Sequence, residues 1–515
     1  VGGGEAGTLS WWIYNNSNKA KRVAMDQRCR VIFRADGNSR IGLGHVVRSL
    51  ALAHMLRGEF ECVFAIQSPT EELKDQILEV CDGIISLPPC LPSEERFVHE
   101  LAAYISEEEI VVLDGYVFGT AYQQHVKSRN ATLVCLDDIH AFPFVADAVI
   151  NQAGGVNETL YEVAPYTQLC IGPAYALLRP PFLAASQRER FLPEGDLRVL
   201  LNLGGADAEN LTLKLAKELA AADNLKIVDI VVGAAYQHMS LLQTWLDENP
   251  EFTLHRNLTA EQMCHLMKQC AVAVTAASGV AYEFAAVGGL LFVLQTADNQ
   301  EDLHRYLLTS GLAKDYQYMP DLLKNNPVQK AFADQVIIQR QHFDGKSPER
   351  LRKVFQKLSL SASLDIRDVT QADLMLLLEW ANDKEVRKNS FNPNQITIEA
   401  HTSWFNAVLE DEQTLLYIIT ANGKPAAHIR FNIHSGTAVI SYLVSAEFRG
   451  QGLGHLILLK GINKLKHQRP ELNLVQGLVQ QENIASVRAF VKAGFRLGEP
   501  DAGHPEALKF FQQLK

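Results

Sequence analysis

Long apolar runs are missing from this sequence: no stretch approaches the ~20 unbroken apolar residues of a bilayer-crossing helix, so neither a membrane span nor an anchor is expected. Positive charge is scarce as well. Lys and Arg number 48 against 59 Asp and Glu, a net charge of -11, and no basic stripe with interleaved aromatics offsets it. A nucleic-acid partner is therefore not expected. The eight cysteines (Cys29, Cys62, Cys81, Cys90, Cys135, Cys170, Cys264, Cys270) form no close Cys-x-x-Cys pair, which argues against a zinc site or a redox centre. The expectation is no metal, with buried reduced thiols in a cytoplasmic enzyme. No internal repeat is legible. Residues 1–29 lack a periodic pattern and the basic-then-apolar order of a secretion signal; they are expected to be a disordered extension, with Met25 a candidate natural start.

What is present is an ordinary globular composition, 47% hydrophobic and 21% charged, in a chain of 515 residues. Single cores stop growing near ~250–300 residues, so several compact units are expected. Over 30–180, short apolar runs alternate with helical patterns: Val31–Phe33, Cys62–Ile66, Ile84–Leu87, Ile110–Leu113, Leu133–Leu136 and Ala148–Ile150 read as strands of a parallel sheet covered by helices. A second alternation over 181–358 runs through Arg198-Val-Leu-Leu-Asn, Ile227–Val232, Ala271–Thr275 and Leu290–Leu294, closing with a helix near Gln335–Leu358. After a short Ser-rich segment, Leu358–Leu364, the pattern changes to a third α/β unit, 364–515. The fold class expected is α/β, two Rossmann-like lobes plus a carboxy-terminal α/β domain, with ligands in the cleft beyond the carboxyl ends of the strands.

The first strand runs into Arg34-Ala-Asp-Gly-Asn-Ser-Arg-Ile-Gly-Leu-Gly-His45, followed by a helical pattern to Leu56. Glycines let the backbone turn tightly, and free amides at a helix start favour an anionic oxygen. His45 at the cleft mouth titrates near neutrality and can take a proton from water; a helix-capping or core histidine is the competing reading. This string resembles the opening of the UDP-2,4-diacetamido-2,4,6-trideoxy-beta-L-altropyranose hydrolases of pseudaminic acid biosynthesis, a family related to spore-coat polysaccharide proteins. The resemblance extends over roughly Arg30 to Gln300 and implies a GT-B-like fold, with His45 as the base that activates water at the anomeric carbon and UDP leaving with inversion. It also implies a cleft role for Tyr116 in Leu113-Asp-Gly-Tyr, for Gly44, and for Arg179 in Gly172-Pro-Ala-Tyr-Ala-Leu-Leu-Arg, whose guanidinium suits a diphosphate. Asp137 and Asp138 read as structural, since acidic residues after strands are common helix caps.

In the second lobe, Thr275-Ala-Ala-Ser-Gly-Val-Ala-Tyr-Glu283 sets small residues at a strand-to-helix junction, where amides and the Ser278 hydroxyl can meet phosphate and Glu283 the ribose hydroxyls. The arrangement resembles the UDP site of two-lobe glycosyltransferases. The resemblance places substrate contacts at Asn299 and Gln300, with Gly204-Gly205 as another tight turn at the cleft, and Gly289 stands where relatives more often have proline.

The third unit carries Val439-Ile-Ser-Tyr-Leu-Val-Ser-Ala-Glu-Phe-Arg449-Gly-Gln-Gly-Leu-Gly454, a strand, a turn and a glycine-rich helix start whose amides can converge on a pyrophosphate. With Glu482-Asn483-Ile-Ala-Ser486 and Phe490-Val-Lys-Ala-Gly-Phe495, it resembles the GNAT N-acetyltransferases. The resemblance implies acetyl-CoA as cosubstrate, bound by Arg449, Gly450, Gln451, Gly452, Leu453, Gly454, Asn483 and Ser486, and an amide beside Leu443 or Val444 polarising the thioester carbonyl. Phe490 replaces the tyrosine that protonates the leaving thiolate in many relatives. Water, another hydroxyl such as Tyr442, or departure as a thiolate are the alternatives. Trp380-Ala-Asn-Asp-Lys-Glu-Val-Arg387 and His401-x-x-Trp404 resemble the acetyltransferases acting on UDP-amino-sugars, with His401 and Glu385 read as solvated residues.

The expectation is a bifunctional enzyme of pseudaminic acid biosynthesis that N-acetylates a UDP-4-amino-sugar and hydrolyses the diacetamido UDP-sugar. Such a fusion would release the product of one site near the other at raised effective concentration. The alternatives are a UDP-sugar glycosyltransferase fused to an acetyltransferase, or a binding module with one inactive half. Oligomeric state is left open.

Overall fold

Strands buried on both faces need continuous apolar runs, and the first such set builds a seven-stranded, wholly parallel sheet. The computed structural model describes residues 28–37, 42–204, 207, 209–221, 227–233, 235–325 and 328–514, the side chains of 299 and 325 excepted. The expected amino-terminal extension, residues 1–27 of it, and Gly205 lie outside the described residues. The first sheet comprises β1 (Arg30–Ala35), β2 (Glu61–Gln67), β3 (Gly83–Leu87), β4 (Ile110–Asp114), β5 (Thr132–Leu136), β6 (Ala148–Asn151) and β7 (Gln168–Ile171), in the order β3-β2-β1-β4-β5-β6-β7. The winding direction reverses between β1 and β4, which opens a crevice at their carboxyl ends.

The second sheet repeats the device. β8 (Arg198–Asn202), β9 (Ile227–Val232), β10 (Phe252–Arg256), β11 (Val272–Ala276), β12 (Leu290–Leu294) and β13 (Lys314–Asp315) are parallel in the order β10-β9-β8-β11-β12-β13, with the reversal between β8 and β11. The edge strands β10 and β13 were not expected, because a half-exposed edge carries no continuous apolar run. The two lobes meet through the segment after β6: Tyr282 Oη accepts from the Gly154 amide (3.0 Å) and donates to the Gln152 carbonyl (3.2 Å). A Cβ on Gly154 would lie 2.0 Å from the Tyr306 ring, so this approach needs glycine.

Of the helices that matter to the sites, α1 (Gly44–Leu56) follows the glycine loop, α2 (Pro180–Ser186) buries Phe182 in the second lobe, and α3 (Gly279–Val287) follows β11. The single closing helix expected near Gln335–Leu358 is two helices, α4 (Val328–His342) and α5 (Ser347–Ala362). Between them Gly345 turns at φ +72°, and Asp344 accepts from the Lys346 amide (2.9 Å) while pairing with Arg350. The break sends α5 back across to the first lobe, where Leu351, Val354, Phe355 and Leu358 join Val31, Phe33 and Val112 in one core. The Ser-rich segment is accordingly the end of α5: Ser361 Oγ donates to the Lys357 carbonyl (2.9 Å) and Ser363 Oγ to Leu360 (2.8 Å).

One residue later a third sheet begins: β14 (Leu364–Asp368), β15 (Thr414–Ala421), β16 (Lys424–His434), β17 (Thr437–Val444), β18 (Leu474–Gln480), β19 (Arg496–Leu497) and β20 (Ala507–Gln513), ordered β14-β15-β16-β17-β18-β20-β19. It is antiparallel except for β17 and β18. Those two pair over Thr437–Val439 and Leu474–Gln476 and then part. The helices flanking this wedge are α6 (Leu374–Ala381), α7 (Ile398–Glu410), α8 (Gly454–Gln468) and α9 (Ile484–Lys492). Among the described residues no helix is long and apolar enough to cross a membrane.

Phe355 is fully buried on α5 and meets Phe60 edge-on at 6.1 Å. Phe355→Ala is expected to cost ~3–5 kcal/mol by leaving a cavity, read as an earlier denaturant midpoint for the first lobe.

Candidate functional site

The crevice between β1 and β4 is organised by a carboxylate shut off from the surface. Asp114 ends β4 and is fully buried. It accepts from His45 Nδ1 (2.7 Å), from Arg48 Nε (2.9 Å) and Nη2 (2.6 Å), and from Ser49 Oγ (2.9 Å), all on the first turns of α1. Burial alone would push the Asp114 carboxyl up, but the Arg48 charge and the hydrogen bonds from His45 and Arg48 outweigh it and hold it below its ordinary value. With Nδ1–H donated to Asp114, His45 keeps the Nε2 lone pair for the cleft. Tyr116 packs edge-on to His45 at 4.9 Å and donates to Asp138 (3.4 Å), which also takes Arg48 Nη1 (2.7 Å). Asp138 thus joins this cluster by holding Arg48 and Tyr116. Asp137 does play a structural part, accepting from Tyr161 Oη (2.7 Å) and the His140 amide (2.8 Å). Gly44 opens α1, and among the described residues no side chain caps that helix start.

The glycine loop is anchored by Arg34, fully buried, which donates to Glu100 (2.7 Å) and to Asp36 (2.7 Å); Asp36 in turn accepts from the Gln67 amide (2.9 Å). Residues 38–41 of the loop lie outside the described residues.

Across the cleft, Arg179 and Glu283 form a bidentate pair at 2.7 and 2.8 Å, with Arg179 stacked over Phe182. The two were expected to meet different parts of a nucleotide; the structure couples them, so Arg179 orients Glu283, whose carboxylate oxygens keep further lone pairs. Ser278 is the N-cap of α3 but makes no side-chain cap bond, which leaves its hydroxyl and the helix amides facing the cleft end of β11. Gln300 folds onto its own loop, its Oε1 accepting from the Thr296 amide (2.9 Å) and hydroxyl (3.1 Å). That carbonyl oxygen is engaged in holding the loop. The Asn299 side chain lies outside the described residues. Gly204 turns at φ +95°, its amide held by Asn202 Oδ1 (2.9 Å).

In the third unit, the parting of β17 from β18 frees the edge of Ile440–Val444. The Ser445 amide bonds the Ala426 carbonyl across to β16, so in this antiparallel register the Leu443 amide also faces β16 and the Val444 amide faces the parted edge. The following loop turns at Gly450 (φ +78°) and Gly452 (φ +77°) into α8, whose N-cap Leu453 has no side-chain cap. Arg449 braces the loop through the Val444 carbonyl (2.9 Å) and Asp383 (2.6 Å), and Gln451 through the Glu447 carbonyl (2.9 Å). A Cβ on Gly454 would sit 3.0 Å from Ala489 and 3.3 Å from Tyr442 Oη. Asn483 caps α9 by accepting from the Ser486 amide (3.1 Å), and Tyr442 Oη donates to Ser486 Oγ (3.3 Å). Burial raises the Tyr442 hydroxyl, so it keeps its proton. Phe490 is buried against Phe495 and Phe510, in the packing role.

A cavity of about 460 Å³ opens from this wedge toward α6 and α7. Three of its polar residues carry no motif and were missed: His428, Arg430 and, as a pocket group, Arg387. Each has a buried nitrogen with no partner among the described residues. Arg430 lies over Trp404 at 5.5 Å. Burial, then the Arg430 charge, lowers His428 to about 3. His401 is not solvated: it is buried, and Nε2 donates to the Leu374 carbonyl (3.0 Å). Glu385 is exposed.

Residues 363–496 match the acetyltransferase (GNAT) domain family. An uncharacterized protein of Methanocaldococcus jannaschii is 21% identical over 495 residues, 90% of this chain and 95% of that protein. The UDP-2,4-diacetamido-2,4,6-trideoxy-beta-L-altropyranose hydrolase of Campylobacter jejuni is 25% identical over 298 residues, 56% of this chain and all of that enzyme. The spore coat polysaccharide biosynthesis protein SpsG of Bacillus subtilis is 27% identical over 289 residues, 55% of this chain and 81% of that protein. The two Rossmann-like lobes are thus similar to nucleotide-sugar-processing proteins, and they are joined to a domain matching the acetyltransferases. In particular, the amino-terminal half is homologous to the diacetamido-sugar nucleotide hydrolase, and the carboxy-terminal part is a GNAT domain.

Asp114→Asn keeps the packing but reverses which His45 nitrogen carries the proton; turnover of a UDP-sugar in the first cleft is expected to fall ~10²–10⁴-fold while UDP still binds, measured by phosphate-coupled UDP release and calorimetry. The depressed His428, with His455 lowered to about 4, takes up a proton in the unfolded chain before the folded one. Stability of the third unit is therefore expected to be full above about pH 6.5 and to decline toward pH 4, followed by thermal melts across that range.

Proposed function

We propose that the chain catalyses two reactions on one class of substrate: N-acetylation of a UDP-4-amino-sugar by acetyl-CoA, and hydrolysis of UDP-2,4-diacetamido-2,4,6-trideoxy-beta-L-altropyranose to the free sugar and UDP. The hydrolytic reading is carried by the His45–Asp114 pair at the first-lobe crevice (2.7 Å), and the uncapped start of α3 in the second lobe suits a diphosphate. In it, His45 Nε2 removes a proton from water as the water attacks the anomeric carbon, and Asp114 stabilises the imidazolium that results. The C1–oxygen bond breaks with inversion. UDP departs with its charge beside the α3 amides and Ser278, its ribose against Glu283. Tyr116 bounds the sugar side of His45.

For acetyl transfer, the amine attacks the thioester, and the Val444 amide receives the oxyanion. Tyr442, protonated and bonded to Ser486, supplies the thiolate's proton. The observation favouring a nucleotide-linked acceptor is the charge of the pocket. Arg387 and Arg430 line it, His428 is neutral, and among the described residues no carboxylate lines it, so the walls repel a polycationic amine and welcome one that brings its own phosphate.

His45→Ala is expected to abolish UDP release to within ~10²–10⁴ of the uncatalysed level while leaving UDP binding intact; release that depends on an added sugar acceptor in the wild type would point to glycosyl transfer, and no release would point to a binding module. Arg430→Met is expected to raise KM for a UDP-4-amino-sugar by ~10-fold or more with little change for acetyl-CoA, in a free-thiol assay whose products are identified by mass and NMR.

A further inference from the structure

The cavity of the third unit holds an imidazole nitrogen, His428 Nδ1, that is buried without a hydrogen-bond partner among the described residues. His428 lies on β16 directly opposite Leu443 of β17, so the two side chains share a face of the sheet. That face is covered by α6 and α7: Leu443 packs there with Leu377, Trp380 and Phe405. Tyr442, one residue earlier, belongs to the other face, where it packs on the α8–α9 core and donates to Ser486. Imidazole and phenol thus stand on opposite faces of the strand whose edge is freed where β17 parts from β18, and both line the cavity that opens there.

A buried polar atom left unpaired is the exception in folded proteins, and packing alone gives no reason for one. The other charged or titratable side chains lining the cavity are Arg387 after α6, His401 on α7, Arg430 on β16 and Tyr442 on β17. None of them offers a base to an entering amine. The guanidiniums and the phenol keep their protons, and His401 is buried against Trp404 and Phe405 with Nε2 given to the Leu374 carbonyl. Burial and the Arg430 charge keep His428 unprotonated at neutral pH, so with its proton on Nε2 the Nδ1 lone pair is open to a donor. Acetyl transfer brings one such donor, the N–H of the attacking amine.

We propose that His428 is the proton acceptor of the acetyltransferase site: Nδ1 takes a hydrogen bond from the acceptor amine and receives its proton as the carbon–nitrogen bond forms. The assignment rests on the acetyl-transfer reading of this wedge. The amine enters as the free base, its ammonium proton left in solvent, because two guanidiniums and no carboxylate among the described lining disfavour a third positive charge. Its lone pair adds to the thioester carbon. Nitrogen, now positively charged and bonded to an acyl carbon, is a far stronger acid than a free ammonium, and a weakly basic imidazole suffices to take its proton. The carbon–sulfur bond then breaks, sulfur takes the Tyr442 proton, and the proton on His428 returns through solvent to the phenolate. Nitrogen has lost one proton and sulfur has gained one.

The test uses the full-length chain, acetyl-CoA and the UDP-linked 2-acetamido-4-amino-2,4,6-trideoxy sugar, the amine that acetylation would turn into the diacetamido compound. His428→Ala is expected to lower kcat ~10²-fold or more while KM for acetyl-CoA stays within about twofold. UDP release from the diacetamido sugar is expected to be unaltered. Added imidazole, which fits the space vacated, is expected to restore part of kcat in His428→Ala and to leave the wild type as it was. His428→Phe keeps the bulk of the ring without its nitrogens; it is expected to be as slow as His428→Ala and to gain nothing from imidazole. A packing residue would be replaced well by Phe, so wild-type kcat in His428→Phe overturns the proposal, as does a loss carried by KM alone. Should His428→Ala melt early, His428→Phe carries the test by itself. Wild type that frees no thiol with this amine removes the acetyl-transfer reading and the role of His428 with it, whereas wild-type turnover that survives in His428→Phe removes His428 alone.

Discussion

A buried carboxylate has to be answered from within the protein, and Asp114 is where that requirement shapes the first lobe. An unpaired ionised carboxyl in this position would be prohibitively costly. Arg48, His45 and Ser49 answer it from one face of α1, at positions spaced so that consecutive turns converge on the end of β4. The same bonds that make the charge tolerable fix the angle of α1, the direction of its amino terminus and the tautomer of His45. Arg48 extends the frame to Asp138, and through it to Tyr116. The aim of the imidazole and the fold are therefore held by one network, and the ring cannot be turned without disturbing the junction of the central strands.

The position of the third unit follows from α5. That helix starts beside the segment after β7, packs along the first-lobe core, and ends next to Cys29, which precedes β1. The acetyltransferase therefore joins the first lobe near the amino-terminal ends of its strands, where Gln168 and Asp147 lie, whereas His45 and Asp114 are at the carboxyl ends. The first-lobe crevice and the junction with the third unit thus lie at opposite ends of the same strands. Any benefit of fusion in the proposed pathway comes from release into the same neighbourhood, with diffusion around the lobe.

How much of this could be read beforehand depended on whether an interaction was local in sequence. The sheet interiors were legible because doubly covered strands must be apolar throughout, and the glycine loops because tight turns before helices need residues without side chains. His45 stood out as a titratable group inside such a loop. Asp114 did not, because an acidic residue at a strand end reads equally as a cap, and its partners are 65–69 residues away. The coupling of Arg179 to Glu283, 104 residues apart, was invisible for the same reason. The apolar stripe of α5 announced a buried face without saying which core would bury it, and His428 and Arg430 are alternate positions on β16 whose direction only the sheet reveals.

An acidic chain serving anionic ligands looks contradictory, and distance resolves it. The charge of -11 is spread over the surface, and at physiological ionic strength its field decays within ~8 Å. In the proposed clefts, a phosphate would meet helix starts and guanidinium groups at contact range, in surroundings where screening is weak. Long-range repulsion discourages polyanions, which must lie along the surface, while a nucleotide small enough to enter meets only the local field. The same separation of scales accommodates a cavity in the third unit whose described lining holds no carboxylate in a chain that has 59 of them: Asp114 and Glu283 are paired with arginines, while Nε of Arg387 and of Arg430 is buried at the cavity without a partner among the described residues.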